Sequence, residues 1–209
     1  MRTLQLHLAS DRDLHSALQP LQPFDPDLLL CFGAQPFFRG DTLHRALRAA
    51  APNAALAGCS GAGEIAAAQV HDGTLALTAL KFEHGARACG TSTTLVGMAD
   101  SFGAGVRLGA ALAPEGLRHV LVWGTGVNIN GSGLVEGLQA TLPRGTSISG
   151  GLAGDGGAFI ETFTLGDTGS ASDQLVAVGL YGESLGVASR PRPKWNCQIR
   201  FTITRAKSG

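Results

Sequence analysis

Apolar positions along the chain fall into short runs closed by glycine, separated by stretches whose apolar residues recur at helical spacing. Asp27-Leu28-Leu29-Leu30-Cys31-Phe32-Gly33 is a continuous apolar run ended by glycine, which predicts a buried strand. Asp41 is suited to cap a helix carrying Leu43, Ala46, Leu47 and Ala50, with Pro52 beyond its end. Ala54 to Gly58 predicts a further short strand, and Gly73 to Phe82 alternates as a strand does. Ala86 to Thr93 reads as another strand, and Ser101 to Ala113, rich in Ala and Gly, as a weak helix. The pattern then restarts. Leu117 to Gly124 is a strand closed by glycine, and Ser132 is placed to cap a helix carrying Leu134, Val135, Leu138 and Leu142 up to Pro143. Phe159 to Leu165 and Gln174 to Tyr181 complete the strands of this half. Leu14 to Leu21 predicts a short helix near the start, and Ile199 to Thr204 a short strand near the end with no visible partner.

Gly33 and Gly124, Leu43 and Leu134, Leu47 and Leu138, and Pro52 and Pro143 are each separated by 91 positions. The expected fold is therefore α/β, with two tandem βαββ-type repeats forming mixed sheets flanked by helices. Residues 1–26 form a lead-in segment, the repeats occupy about 27–93 and 117–188 of a domain spanning 27–188, and 189–209 is a tail. A cleft between two such repeats is a usual place for a small ligand.

Composition narrows the function classes. The 209 residues, 44% apolar and 15% charged, suffice for a real core, and the zero net charge gives no electrostatic footprint for nucleic acid or an acidic membrane. Met1 to Asp13 carries Arg2, His7, Asp11, Arg12 and Asp13 and has no long apolar core, so a cytoplasmic protein without membrane insertion is expected. Cys31, Cys59, Cys89 and Cys197 lie far apart, which suits reduced thiols better than a zinc site or a disulfide framework.

Two glycine-rich stretches carry the candidate chemistry: G-C-S-G-A-G-E-I, Gly58 to Ile65, and S-G-G-L-A-G-D-G, Ser149 to Gly156. Read as turns, they expose main-chain N–H groups able to hold an anionic end of a small molecule. The candidate ligand-binding residues are Gly58, Cys59, Ser60, Gly61 and Glu64 in the first, Gly150, Gly151 and Asp155 in the second, and Asn128 and Asn130 in the loop between them. Sharp turns and capping explain the same residues without a ligand, and turn formation is the simpler role for Asn130.

Other chemistries fit less well. Gly61 to Ala66 satisfies a loose dinucleotide pattern, but the clear helix with an acidic residue about twenty positions on is missing, and no P-loop is present. Gly58-Cys59-Ser60 resembles a nucleophile elbow, which would make Cys59 or Ser60 the nucleophile of a hydrolase or transferase, yet Ala62 stands where that pattern wants glycine. His71, His84 and His119 are conceivable bases, although no spacing pairs them with the turn, and no histidine pair suits a metal. A single histidine would suffice as an axial haem ligand.

Taken together, Ala57 to Ile65, Trp123 to Leu138, Ser149 to Gly156 and Leu175 to Gly182 resemble the N-terminal part of the FIST sensory domain, in order and in spacing, from about Asp27 to Val187. The resemblance implies a bacterial or archaeal intracellular sensor that binds a small ligand such as an amino acid. It also implies signalling partners such as a histidine kinase or a diguanylate cyclase, and no catalytic residues. One branch of the family binds haem and responds to nitric oxide, which makes haem the alternative ligand; otherwise no cofactor is expected. Thr125 departs from the family, where aspartate is usual. Family members generally continue into a C-terminal FIST domain, so a partner of that kind is expected in cis or in trans.

Overall fold

The computed structural model describes residues 1–66, 68–188 and 202–205 of the chain. Arg2–Leu8 (β1) opens it as a strand, with Leu4, Leu6 and Leu8 turned inward and the alternate positions exposed. Pro20 divides the single helix expected over Leu14 to Leu21 into Leu14–Leu18 (α1) and Leu21–Phe24 (α2). Proline has no N–H to continue α1, whereas its fixed φ suits the start of α2. Leu28–Gly33 (β2), Thr42–Ala50 (α3) and Ala55–Ser60 (β3) follow, then a small hairpin of Glu64–Ala66 (β4) and Gln69–His71 (β5), and Leu75–Lys81 (β6). Arg87–Thr94 (β7), Ser101–Ala110 (α4), Leu117–Gly124 (β8), Gly131–Thr141 (α5) and Ser147–Leu152 (β9) come next. Thr164–Gly166 (β10), Gly169–Ala171 (β11), Gln174–Tyr181 (β12), Leu185–Ala188 (β13) and Thr202–Arg205 (β14) complete the described elements.

Two mixed sheets carry the fold. The larger has the order β1-β6-β2-β3-β10-β11, and the smaller β7-β12-β8-β9. In each sheet the first two pairings are antiparallel and the third is parallel: β1 with β6, β6 with β2 and β2 with β3 in one, β7 with β12, β12 with β8 and β8 with β9 in the other. Each parallel pair is joined through a helix, α3 or α5, as a parallel crossover requires.

Three apolar clusters define four layers. Leu29, Cys31, Leu56 and Leu77 turn one face of the larger sheet toward Leu14, Leu18, Leu43 and Leu47 of the helices. Val120, Val122 and Ala177 of the smaller sheet meet Ala104, Leu108, Leu134 and Leu138 of α4 and α5. The remaining faces meet each other through Leu28, Ala57, Leu80 and Phe82 on one side and Leu121, Trp123, Val176 and Val178 on the other. The helices thus lie outside and the sheets face to face. Burial on both faces is why β2, β8 and β12 read as near-continuous apolar runs.

Several sequence expectations are corrected. The lead-in segment contributes β1 to the larger sheet. The strand expected to close the first repeat, Ala86 to Thr93, pairs as β7 with β12 of the smaller sheet, so the boundary between the expected repeats falls elsewhere. In the other direction β10 joins β3 and places a hairpin from the second half on the first sheet. Of the strand expected over Phe159 to Leu165 only the last residues are extended, because the Asp155 carboxylate accepts hydrogen bonds from the N–H groups of Phe159, Ile160 and Glu161 and folds that stretch into a loop. Asn130, not Ser132, caps α5: its side chain accepts from the Gly133 N–H at 3.1 Å. Asp41 occupies the N-cap of α3, but its carboxylate pairs with Arg45 at 3.0 Å instead of capping. The strand expected over Ile199 to Thr204 has a partner after all, since Thr202–Arg205 pairs antiparallel with β13; residues 199–201 lie outside the described ones.

Candidate functional site

A cavity of about 840 Å³ lies between the two sheets. Strand alternation sets its walls. Leu28, Leu30 and Phe32 of β2 face into it, while Leu29 and Cys31 between them face the helices. His119, Leu121 and Trp123 of β8 form the opposite wall, and the rings of Phe32 and Trp123 stand 5.9 Å apart at 51°. Residues 60–65 and 150–152 also line it, and beside Gly151 a Cβ would meet nothing within 4 Å.

Six of the residues singled out from the sequence therefore come together: Cys59, Ser60, Gly61, Glu64, Gly150 and Gly151. The other four do not line the cavity. Gly58 lies inside β3, where an added Cβ would sit 1.8 Å from the Cys31 carbonyl oxygen; Gly150, in β9, would meet Val122 O at 1.7 Å. Both glycines let two parallel strands approach closely, and neither forms the turn expected of it, which begins only after Ser60 in one case and Leu152 in the other. Asn128 adopts a left-handed conformation with φ 56° in its loop, Asn130 caps α5, and Asp155 organises the loop that displays Phe159 and Ile160. Those three amides held by Asp155 keep its carboxyl below the usual carboxylate range. Thr125 is buried and donates to the Val127 carbonyl at 2.9 Å, a local turn contact.

Glu64 is the chemically unusual residue of the cavity. It opens β4 opposite His71, is only 3% exposed, and its Oε2 accepts from the Thr74 hydroxyl at 3.3 Å. Its Oε1 is buried with no hydrogen-bond partner among the described residues. It lies toward Gly61, where a Cβ would stand 3.3 Å from it. Burial pushes the Glu64 pKa up; the Asp72 charge adds to this, while the Thr74 hydrogen bonds and His7 oppose it.

The remaining candidates are fixed by the fold. Burial raises the Cys59 thiol to about 12, so the nucleophilic thiolate is not populated near neutrality. Ser60 Oγ donates to Gly154 O at 2.6 Å and accepts from the Phe163 N–H at 3.0 Å, which uses it to hold three segments together. His119 is the one histidine lining the cavity among the described residues. Its Nδ1 lies 2.6 Å from Ser147 Oγ and its Nε2 2.6 Å from Ser149 Oγ, and burial lowers its pKa. With both ring nitrogens engaged, it does not fit the role of an axial haem ligand. His71 stacks at a tilt on His7 at 4.3 Å, and His84 occupies a left-handed turn position. No cluster of His, Cys, Asp or Glu suited to a metal ion occurs among the described residues. Nor is any of their helices long and apolar enough to cross a membrane.

The aromatic wall, Phe32, Leu121 and Trp123, escaped the sequence reading. Its signal was the every-second-residue spacing within two apolar runs, which identifies a face but not what that face meets.

Comparison with known proteins places this geometry in context. The FIST N domain family matches residues 27–209. No curated protein matches the chain. Seven chains of solved structures do. One of these, a crystal structure of cyanuric acid hydrolase from A. caulinodans, is 12% identical over 90% of this chain and 70% of that one, with a TM-score of 0.40.

Proposed function

The chain belongs to the FIST N domain family, sensory domains for small ligands in signalling proteins, and from that premise we propose that its ligand binds in the cavity between the two sheets. The observation that carries this reading is the pairing of a mostly apolar cavity with one buried carboxylate oxygen that has no hydrogen-bond partner among the described residues. Small-ligand sites generally combine an apolar wall with a few orienting polar groups. The protein acts by binding, without catalysis: the Cys59 thiol is held protonated, and the Ser60 hydroxyl is committed to the fold. No haem is needed, since the histidine of the cavity is bonded at both nitrogens.

The cavity walls belong to both sheets, so occupancy changes how the sheets meet. A ligand shifts such an equilibrium only by its differential affinity for the two arrangements. The signal passes to a partner, a C-terminal FIST domain in cis or in trans, or a signalling protein such as a histidine kinase or diguanylate cyclase, inside the cell.

The test is a thermal-shift screen of small metabolites against the full chain, repeated on Thr78→Trp, whose indole would occupy the cavity from β6. A ligand that stabilises the wild type and leaves Thr78→Trp unshifted is the expected result. Equal shifts in both proteins would place the site elsewhere.

A further inference from the structure

Glu64 also restricts the class of ligand, given that the cavity is the binding site. Glu64 is one of the residues lining the cavity, its Oε1 lies beside Gly61 of the same lining, and the Thr74 hydroxyl satisfies only Oε2. It caps no helix, since it lies in the short strand β4. Among the described residues no Lys or Arg lines the cavity, and the Met1 ammonium is paired with Glu83. The other polar side chains of the lining, such as Gln5, Thr78 and His119, carry no positive charge at neutral pH, given the lowered pKa of His119. Among the described residues, the lining therefore holds one buried acceptor without a partner and no free cation to receive an anion.

We infer that the cavity selects organic amines, a protonated amine donating to Glu64 Oε1 while its apolar body lies against the paired rings of Phe32 of β2 and Trp123 of β8. A buried carboxylate without a partner is costly, and burial accordingly moves the Glu64 pKa up. An ammonium at hydrogen-bond distance reverses the balance, because the charge-assisted bond forms in a water-poor space. Leu30, Phe32, Leu80, Leu121 and Trp123 supply the apolar surface for the rest of the molecule. A carboxylate on the ligand would meet no cation and would lie near the Glu64 charge, so a simple amine binds more tightly than the corresponding α-amino acid.

Four probes of one shape separate the possibilities: 2-phenylethylamine, 2-phenylethanol, 3-phenylpropionate and L-phenylalanine, titrated by calorimetry against the full chain at neutral pH. The amine is expected to bind about tenfold or more tighter than the alcohol, with phenylpropionate weakest and phenylalanine below the amine. In Glu64→Gln the amine should lose about tenfold to a hundredfold in affinity, while 2-phenylethanol binds as to the wild type and so reports an intact cavity. The inference is overturned if none of the probes binds, if amine and alcohol bind alike, or if Glu64→Gln leaves the amine unaffected. Should the probes bind without preference for the amine and be displaced by Thr78→Trp, the cavity remains the site and only the amine selectivity fails. Binding that survives Thr78→Trp removes the site itself.

Discussion

Glu64 is the residue at which stability and binding are in conflict. Because burial raises its pKa, the folded protein keeps that proton to a higher pH than the unfolded chain does. The associated stability is fully present below the ordinary carboxylate value of about 4.3 and is lost as pH rises through the raised one. Glu64→Gln removes this titration while leaving its neighbours Asp72, His7 and His71 in place. In urea denaturation across this range the variant should be the more stable protein near neutrality and should converge on the wild type below about pH 4. Parallel pH profiles would contradict the assignment. Cys59 provides a second residue-scale test. A thiol reagent should modify the exposed Cys89 in the native protein and spare Cys31 and Cys59, both raised to about 12 by burial, as mapped by peptide mass. Native labelling of Cys59 would reopen the nucleophile reading.

At the scale of elements, the sheets depend on small residues at close approaches. In α4 and α5, a Cβ on Gly105 would meet Leu134 O at 2.3 Å and one on Gly137 would meet Phe102 O at 2.1 Å, so the two helices touch backbone to backbone. Gly137→Val should therefore destabilise the fold by about 1–3 kcal/mol in chemical denaturation, and an unchanged midpoint would show that the helices can part freely. The hairpin of β10 and β11 is held differently. Asp167 in its turn accepts from Arg48 of α3 and from the Leu56 N–H at 2.6 and 2.7 Å. Asp167→Ala should cost about 1–3 kcal/mol by the same measurement, because the Leu56 N–H loses its acceptor.

Legibility also varied by element. The bounds of β8 and β12 follow directly from their apolar runs, since strands covered on both faces have few polar positions to blur them. β1 was missed because an edge strand shows only three inward leucines among charged residues. The Phe159 to Leu165 run was read too long, since nothing local reveals that the Asp155 carboxylate will bind the amides of Phe159, Ile160 and Glu161. The glycine-rich stretches led to Cys59, Ser60, Gly61, Glu64, Gly150 and Gly151. Phe32 and Trp123 were out of reach because their meeting depends on which faces of two distant strands oppose each other.

For the molecule as a whole, the arrangement with helices outside and two sheets facing inward makes the space between the sheets the natural place for a ligand to influence both halves. β7 and β10 bind the halves further, each carrying chain from one half of the sequence into the other sheet. A ligand in the cavity touches β2 and β6 of one sheet and β8 of the other, so binding and the relation between the sheets are coupled. Trp123 stands on that wall and reports on it directly. The decisive measurement is the fluorescence of Trp195→Phe, in which Trp123 is the only tryptophan, titrated with 2-phenylethylamine and with any ligand found by the metabolite screen. A saturable change at Trp123, with the same affinity as the calorimetric titration and absent after Glu64→Gln for the amine, is the predicted result. Saturable binding by calorimetry with an unchanged Trp123 signal would place the ligand outside the space between the sheets and contradict the account.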